Sequence, residues 1–80
     1  MKYLLFTTST CAKCPAFKEL VFDKVAFEGE ILDETKENFI SLAGKYGVMS
    51  VPAILVFDAN GNEVFRTGEG SELMDFLDKL

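Results

Sequence analysis

Cys11 and Cys14 are the only cysteines of the 80-residue chain, set in Cys11-Ala12-Lys13-Cys14-Pro15. Two thiols three positions apart become neighbours when the segment forms the first turn of a helix, because positions i and i+3 share a face. A pair so placed can exchange electrons with another disulfide. The attacking species is a thiolate, so one sulfur must be exposed and have a lowered pKa. The other must be near enough to displace the mixed disulfide that results. A helix start would bring unpaired backbone N–H groups and a positive dipole end to Cys11, and Lys13 adds a formal positive charge. Both favour the thiolate. Cys14, one turn deeper, is then the resolving thiol. Pro15 suits the first turn, where its missing N–H has no helical partner anyway. These residues assign Cys11 as nucleophile and Cys14 as resolver.

Other chemistry for two thiols must be weighed. A zinc site usually takes four sulfur or imidazole ligands. With two cysteines and no histidine, one chain cannot supply them. A metal or iron–sulfur centre shared by two chains stays open as a function of a different class. A purely structural disulfide here would close a very short loop and constrain the unfolded chain little. Redox use is the favoured reading, with no metal and no bound cofactor expected.

The elements that must position the pair follow from apolar patterning. Residues 2–7 read as a strand with consecutive apolar positions, buried on both faces as central strands are. Thr7-Thr8-Ser9-Thr10 is a polar loop, and Thr10, beside Cys11, is within reach of a substrate. A first helix is predicted over 12–26, with Phe17, Leu20, Val21 and Val25 at core-facing spacing. A short strand at 28–33 and a helix at 35–46 follow, the latter ending at Gly47. Val51 to Phe57 is the second continuous apolar run. Asp58-Ala59-Asn60-Gly61-Asn62 turns it into a hairpin with residues 63–67. A last helix over 71–79 presents Leu73, Phe76, Leu77 and Leu80 to the core. The order βαβαββα predicts an α/β fold: one mixed four-stranded sheet flanked by three helices.

Bulk properties narrow the partners. Eighty residues make one domain, 1–80, with no room for a second. With 49% hydrophobic residues, eight of them phenylalanine, a compact core is feasible without staples, by a small margin. A net charge of −5, from eight basic and thirteen acidic residues, argues against nucleic acid or an anionic membrane as main partner. The scattered acids read as a solvated surface, and a monomer is expected. Met1 to Phe6 is too short for the apolar core of a secretion signal, and no stretch reaches transmembrane length. Two cysteines without such a signal point to the reducing cytoplasm, where a dithiol is usually catalytic.

Pro52 opens the second apolar run. A proline at the first residue of a strand forfeits no ladder bond, and base rates alone favour a trans peptide there. Its context adds more. With Cys-Ala-Lys-Cys at a helix start, Val51-Pro52 leading a central strand and Asn60-Gly61 in the next hairpin, the chain resembles a small member of the thioredoxin superfamily. Gly47-Val48-Met49-Ser50-Val51-Pro52-Ala53 resembles that family's pattern before its cis-proline, and Phe57 through Gly68 its last hairpin and following glycine. The resemblance spans essentially the whole chain, at the compact length of glutaredoxins and short thioredoxins. It implies a thioredoxin-like fold and a cis Pro52 packed beside the sulfurs. It also implies that Val51 offers its backbone to an extended substrate segment, much as in strand addition. Thr10, Ala12, Met49, Ser50 and Gly68 would line that groove.

The departures from the family pattern are specific. Thr10 stands where thioredoxins usually carry tryptophan, and Ala12-Lys13 replaces Gly-Pro. Leu5 stands where the family has a buried aspartate thought to help deprotonate the resolving thiol. Cys14 must therefore lose its proton to Cys11, water or the partner. The resemblance implies a cytoplasmic thiol–disulfide oxidoreductase that reduces protein disulfides and is recharged by a thioredoxin-reductase-like flavoprotein. Glutathione is the alternative reductant, in the manner of glutaredoxins. Against it, Gly68-Glu69-Gly70-Ser71-Glu72 carries two acids and no cation, although Lys13 could meet one glutathione carboxylate. Electron donation to ribonucleotide reductase is a more specialised alternative. A redox-inert adaptor is a third class, which the intact dithiol disfavours.

Overall fold

The computed structural model describes residues 1–80. In chain order the elements are β1 (Lys2–Phe6), α1 (Cys14–Lys24), β2 (Gly29–Leu32), α2 (Phe39–Tyr46), β3 (Ala53–Phe57), β4 (Glu63–Thr67) and α3 (Gly70–Asp78). They form the predicted βαβαββα order, with one mixed sheet in spatial order β2-β1-β3-β4. β1 runs parallel to β2, with Phe6 opposite Leu32, and antiparallel to β3, with Phe6 opposite Ala53. β4 pairs antiparallel with β3, and the register shifts at Val56/Phe57.

Strand alternation divides the core in two, because successive side chains point to opposite faces. Tyr3 and Leu5 of β1 and Ile54 and Val56 of β3 meet Phe17 and Val21 of α1 and Leu73 of α3. On the other face Phe6, Leu32 and Leu55 pack against Phe39, Leu42, Ala43 and Tyr46. The two central strands are therefore covered on both sides, which is why they read as unbroken apolar runs.

Several predicted boundaries move, each for a local reason. α1 begins at Cys14 rather than 12 and ends at Lys24 rather than 26, where Val25 is already extended. α2 begins at Phe39, not 35. The Asp33 side chain accepts the Thr35 N–H at 2.9 Å, an Asx turn that competes with helix. β3 begins at Ala53, since Pro52 has no N–H to offer a ladder. Leu80, expected in the core, is 61% exposed because α3 stops at Asp78. Gly47 does end α2, with a φ of 67° that glycine adopts freely. The hairpin turns at Gly61 (φ 83°), where the Asp58 carboxylate accepts the N–H groups of Asn60 and Asn62 at 2.9 and 3.0 Å.

Candidate active site

Cys11 and Cys14 are joined as a disulfide, their Cα atoms 5.4 Å apart. Cys14 is the first residue of α1 and is 2% exposed. Cys11 is only half-buried and lies in the loop ahead of the helix, where its N–H donates to the Thr8 carbonyl at 3.3 Å. This corrects the expectation that Cys11 occupies the first helical turn. Lys13 is the N-cap, its carbonyl accepting the Phe17 N–H at 3.2 Å, so the helix's free donors start at Cys14. Pro15, second in the helix, removes one of them. Lys13 is exposed and forms no ion pair.

Cys11 and Cys14 line one surface cleft with Thr7, Ser9, Lys18 and Glu34. Met49, Ser50, Pro52 and Gly68 line a second, together with Arg66. The two clefts share no wall residue, and Thr10, Ala12, Lys13 and Val51 line neither. Thr10 and Ala12 are exposed, and Val51 packs on the Phe6–Leu32–Leu55 cluster. The clefts nevertheless come from adjoining backbone. Carrying the β1–β3 register one step past Phe6 and Ala53 sets Thr7, in the first cleft, opposite Pro52, in the second. The Val51–Pro52 peptide is cis, Pro52 is buried, and Met49 is 97% exposed.

Gly68 meets the second cleft from the β4–α3 turn. A Cβ built on it would lie 2.6 Å from the Pro52 carbonyl oxygen. Thr67 fixes this turn: its buried hydroxyl bonds the Glu72 carboxylate and accepts the Glu69 N–H at 3.0 Å.

Among the charged residues in these walls, Glu34 and Arg66 make long-range hydrogen bonds that sequence reasoning did not single out. The Ser9 N–H donates to both carboxylate oxygens of Glu34, at 2.9 and 3.1 Å. The Ser9 side chain, then the backbone N–H groups of Glu34 and Ser9, hold the Glu34 carboxyl below its ordinary value. Asp33 is likewise lowered, first by the Thr35 side chain and backbone, then by Lys36 and Lys18. Arg66 donates through Nε and Nη2 to Glu63, both at 2.7 Å, and through Nη2 to the Tyr46 carbonyl at 2.6 Å. Neither role has a local signature. Ser9 and Glu34 are 25 residues apart, and Arg66 reaches back 20 residues to Tyr46.

Leu5, where the resembled family has an aspartate, is fully buried in the Tyr3–Phe17–Val21 cluster. No group of three or more metal-ligating side chains is gathered anywhere. A larger concavity, lined by Met1, Tyr3, Glu28 and Phe57 among others, includes neither cysteine. The site can therefore offer one reachable sulfur, one shielded sulfur a helix start away, and an adjacent backbone-lined cleft.

Comparison with known proteins agrees with this geometry. No curated protein sequence matches the chain. Among solved structures, thioredoxin O2 from Arabidopsis thaliana in its oxidised state aligns with a TM-score of 0.79 at 19% identity, covering 99% of this chain and 73% of that one. Thioredoxin 1 from the thermophile Thermosipho africanus gives 0.75 at 19% identity, over 99% and 92%. Schistosoma mansoni thioredoxin, reduced, gives 0.72 at 24%, over 98% and 76%. At these identities the likeness speaks to the fold. The family profile described as Thioredoxin domain matches residues 1–77. Since that match spans nearly the whole chain and the Cys-x-x-Cys pair is intact, this protein belongs to the thioredoxin-domain family and is a thiol–disulfide oxidoreductase.

Proposed function

We propose that the chain reduces disulfides in proteins, with Cys11 as nucleophile and Cys14 as resolver. The asymmetry of burial carries this reading. Cys14 is 2% exposed while Cys11, three residues earlier, stays half-exposed at the mouth of their shared cleft. A partner's disulfide can reach Cys11 and not Cys14. The Cys11 thiolate attacks one substrate sulfur, forming the mixed disulfide and releasing the other as a thiolate that takes up a proton. Cys14, deprotonated, then attacks Cys11, freeing the second substrate thiol and closing the Cys11–Cys14 disulfide. With Leu5 in place of a carboxylate, the Cys14 proton leaves to the departing thiolate or to water in the cleft. Position near the N-cap and the unpaired Lys13 favour a charged Cys11.

The cleft of Met49, Ser50, Pro52 and Gly68 is the docking surface for an extended substrate segment, Val51 supplying backbone hydrogen bonds. Thr10, Ala12 and Lys13, exposed around Cys11, form its near rim. Two electrons from a thioredoxin-reductase-like flavoprotein reopen the disulfide, in a reducing compartment such as the cytoplasm. Glutathione is the weaker candidate as reductant. The one cation in the docking cleft, Arg66, already engages Glu63 and the Tyr46 carbonyl, which leaves little charge for glutathione carboxylates.

A coupled NADPH assay tests the proposal, comparing thioredoxin reductase with glutathione plus glutathione reductase, and insulin as disulfide substrate. Turnover with the flavoprotein and none in Cys11→Ser is expected. Turnover with glutathione alone would move the protein to the glutaredoxin-like reading. Bound iron or zinc with a metal-dependent dimer would replace both.

A further inference from the structure

Ser9 leaves the end of β1 and Glu34 leaves the end of β2, and these strands are parallel neighbours. Their exits therefore lie side by side, and the Thr7 N–H bonds the Leu32 carbonyl at 2.9 Å to keep them so. Beyond that tie, the Glu34 carboxylate accepts the Ser9 N–H with both oxygens, at 2.9 and 3.1 Å. Ser9 sits inside the turn that aims Cys11, closed by the Cys11 N–H on the Thr8 carbonyl at 3.3 Å. Glu34 also lines the cleft of both cysteines, with Lys18, Glu19 and Asp33 in the same walls. An N–H bond to a carboxylate is among the stronger hydrogen bonds, and here it joins the loop after β1 to the loop after β2.

We propose that Glu34 is a positioning residue for exchange at Cys11: by clamping Ser9 it holds the Thr8–Cys11 turn, so that Cys11 stays within reach of Cys14 when the disulfide opens. The inference rests on the redox reading of the pair. Its measurable consequence is the effective concentration of one thiol at the other. That quantity is read by equilibrating the protein with a glutathione buffer. Dithiol plus glutathione disulfide gives the Cys11–Cys14 disulfide plus two glutathione thiols, two electrons passing to glutathione.

In Glu34→Ala the turn loses its clamp, Cys11 wanders, and closure of the disulfide is less favoured. The equilibrium constant for disulfide formation should fall about tenfold, the scale of one hydrogen bond to a charged group. Glu34→Gln keeps an acceptor for Ser9 and removes only the exposed charge, so it should stay within about threefold of wild type. A purely structural role would lower the melting temperature of Glu34→Ala and leave the glutathione equilibrium within about twofold, which would overturn the proposal. A shift in Glu34→Gln as large as in Glu34→Ala would also overturn it, because charge rather than the clamp would then be responsible. The equilibrium needs glutathione only as a redox buffer. Failure of the wild type to reduce insulin would sink the reductase reading and leave this measurement intact.

Discussion

A side-chain carbon placed on Gly68 would stand 2.6 Å from the carbonyl oxygen of Pro52. Two loops of the cleft lined by Met49, Ser50, Pro52 and Gly68 thus meet backbone to backbone, and only glycine fits without a shift of one of them. Gly68→Ala should destabilise the protein by about 1–3 kcal/mol, the usual cost of overpacking. Because the displaced group is the Pro52 carbonyl, KM for a protein disulfide should rise while alkylation of Cys11 keeps its rate. Thermal unfolding and the insulin assay check the two halves.

Cys14→Ser removes the shielded sulfur to which we assign resolution of the mixed disulfide. The variant should accumulate a covalent Cys11–substrate adduct of one to one stoichiometry, visible by mass spectrometry and dispersed by dithiothreitol. Cys11→Ser should form no such adduct, since its remaining thiol is buried in the first turn of α1.

The pair of Glu63 and Arg66 predicts part of the acid response. Hydrogen bonding from Arg66, partly offset by burial, holds the Glu63 carboxyl below its ordinary 4.5. The folded state therefore binds fewer protons than the unfolded one. The pair's contribution is present above 4.5 and is lost as pH falls through the lowered value. Arg66 is raised by the same hydrogen bond, so its side of the pair is lost only in strong alkali. Glu63→Gln should cost about 0.5 kcal/mol near neutral pH, the scale of exposed pairs, and the difference from wild type should vanish in acid. Urea unfolding across that range measures it.

Leu5 fills the place of the resembled family's aspartate and is fully buried against Phe17 and Val21. Leu5→Ala should lower stability by about 2–5 kcal/mol through the cavity it leaves. The pH profile of insulin reduction should keep its shape, because no proton passes through this position. A displaced profile would show that the apolar packing around Leu5, and the dryness it keeps, sets the titration of the cysteine pair.

Much of the fold was legible because its signals are local and redundant. β1 and β3 announced themselves as unbroken apolar runs, and Gly47 and Gly61 as positions needing positive φ. The boundaries that moved did so where a side chain competes with the backbone, as Asp33 does at the start of α2. Helix one gave the right face and the wrong start, since Cys-x-x-Cys spacing cannot tell a helical turn from a loop closed by the sulfurs themselves. The clamp of Glu34 on Ser9 and the reach of Arg66 to Tyr46 depend on strand order and register. Those are properties of the assembled sheet, which no local pattern in the chain encodes.

The difference between the two sulfurs is most directly tested by alkylating the reduced protein with iodoacetamide near neutral pH and mapping the label by mass spectrometry. Carboxamidomethylation should appear at Cys11 well before Cys14, because Cys14 is shielded and Cys11 is not. Faster labelling of Cys14, or equal rates at both, would contradict the assignment of nucleophile and resolver.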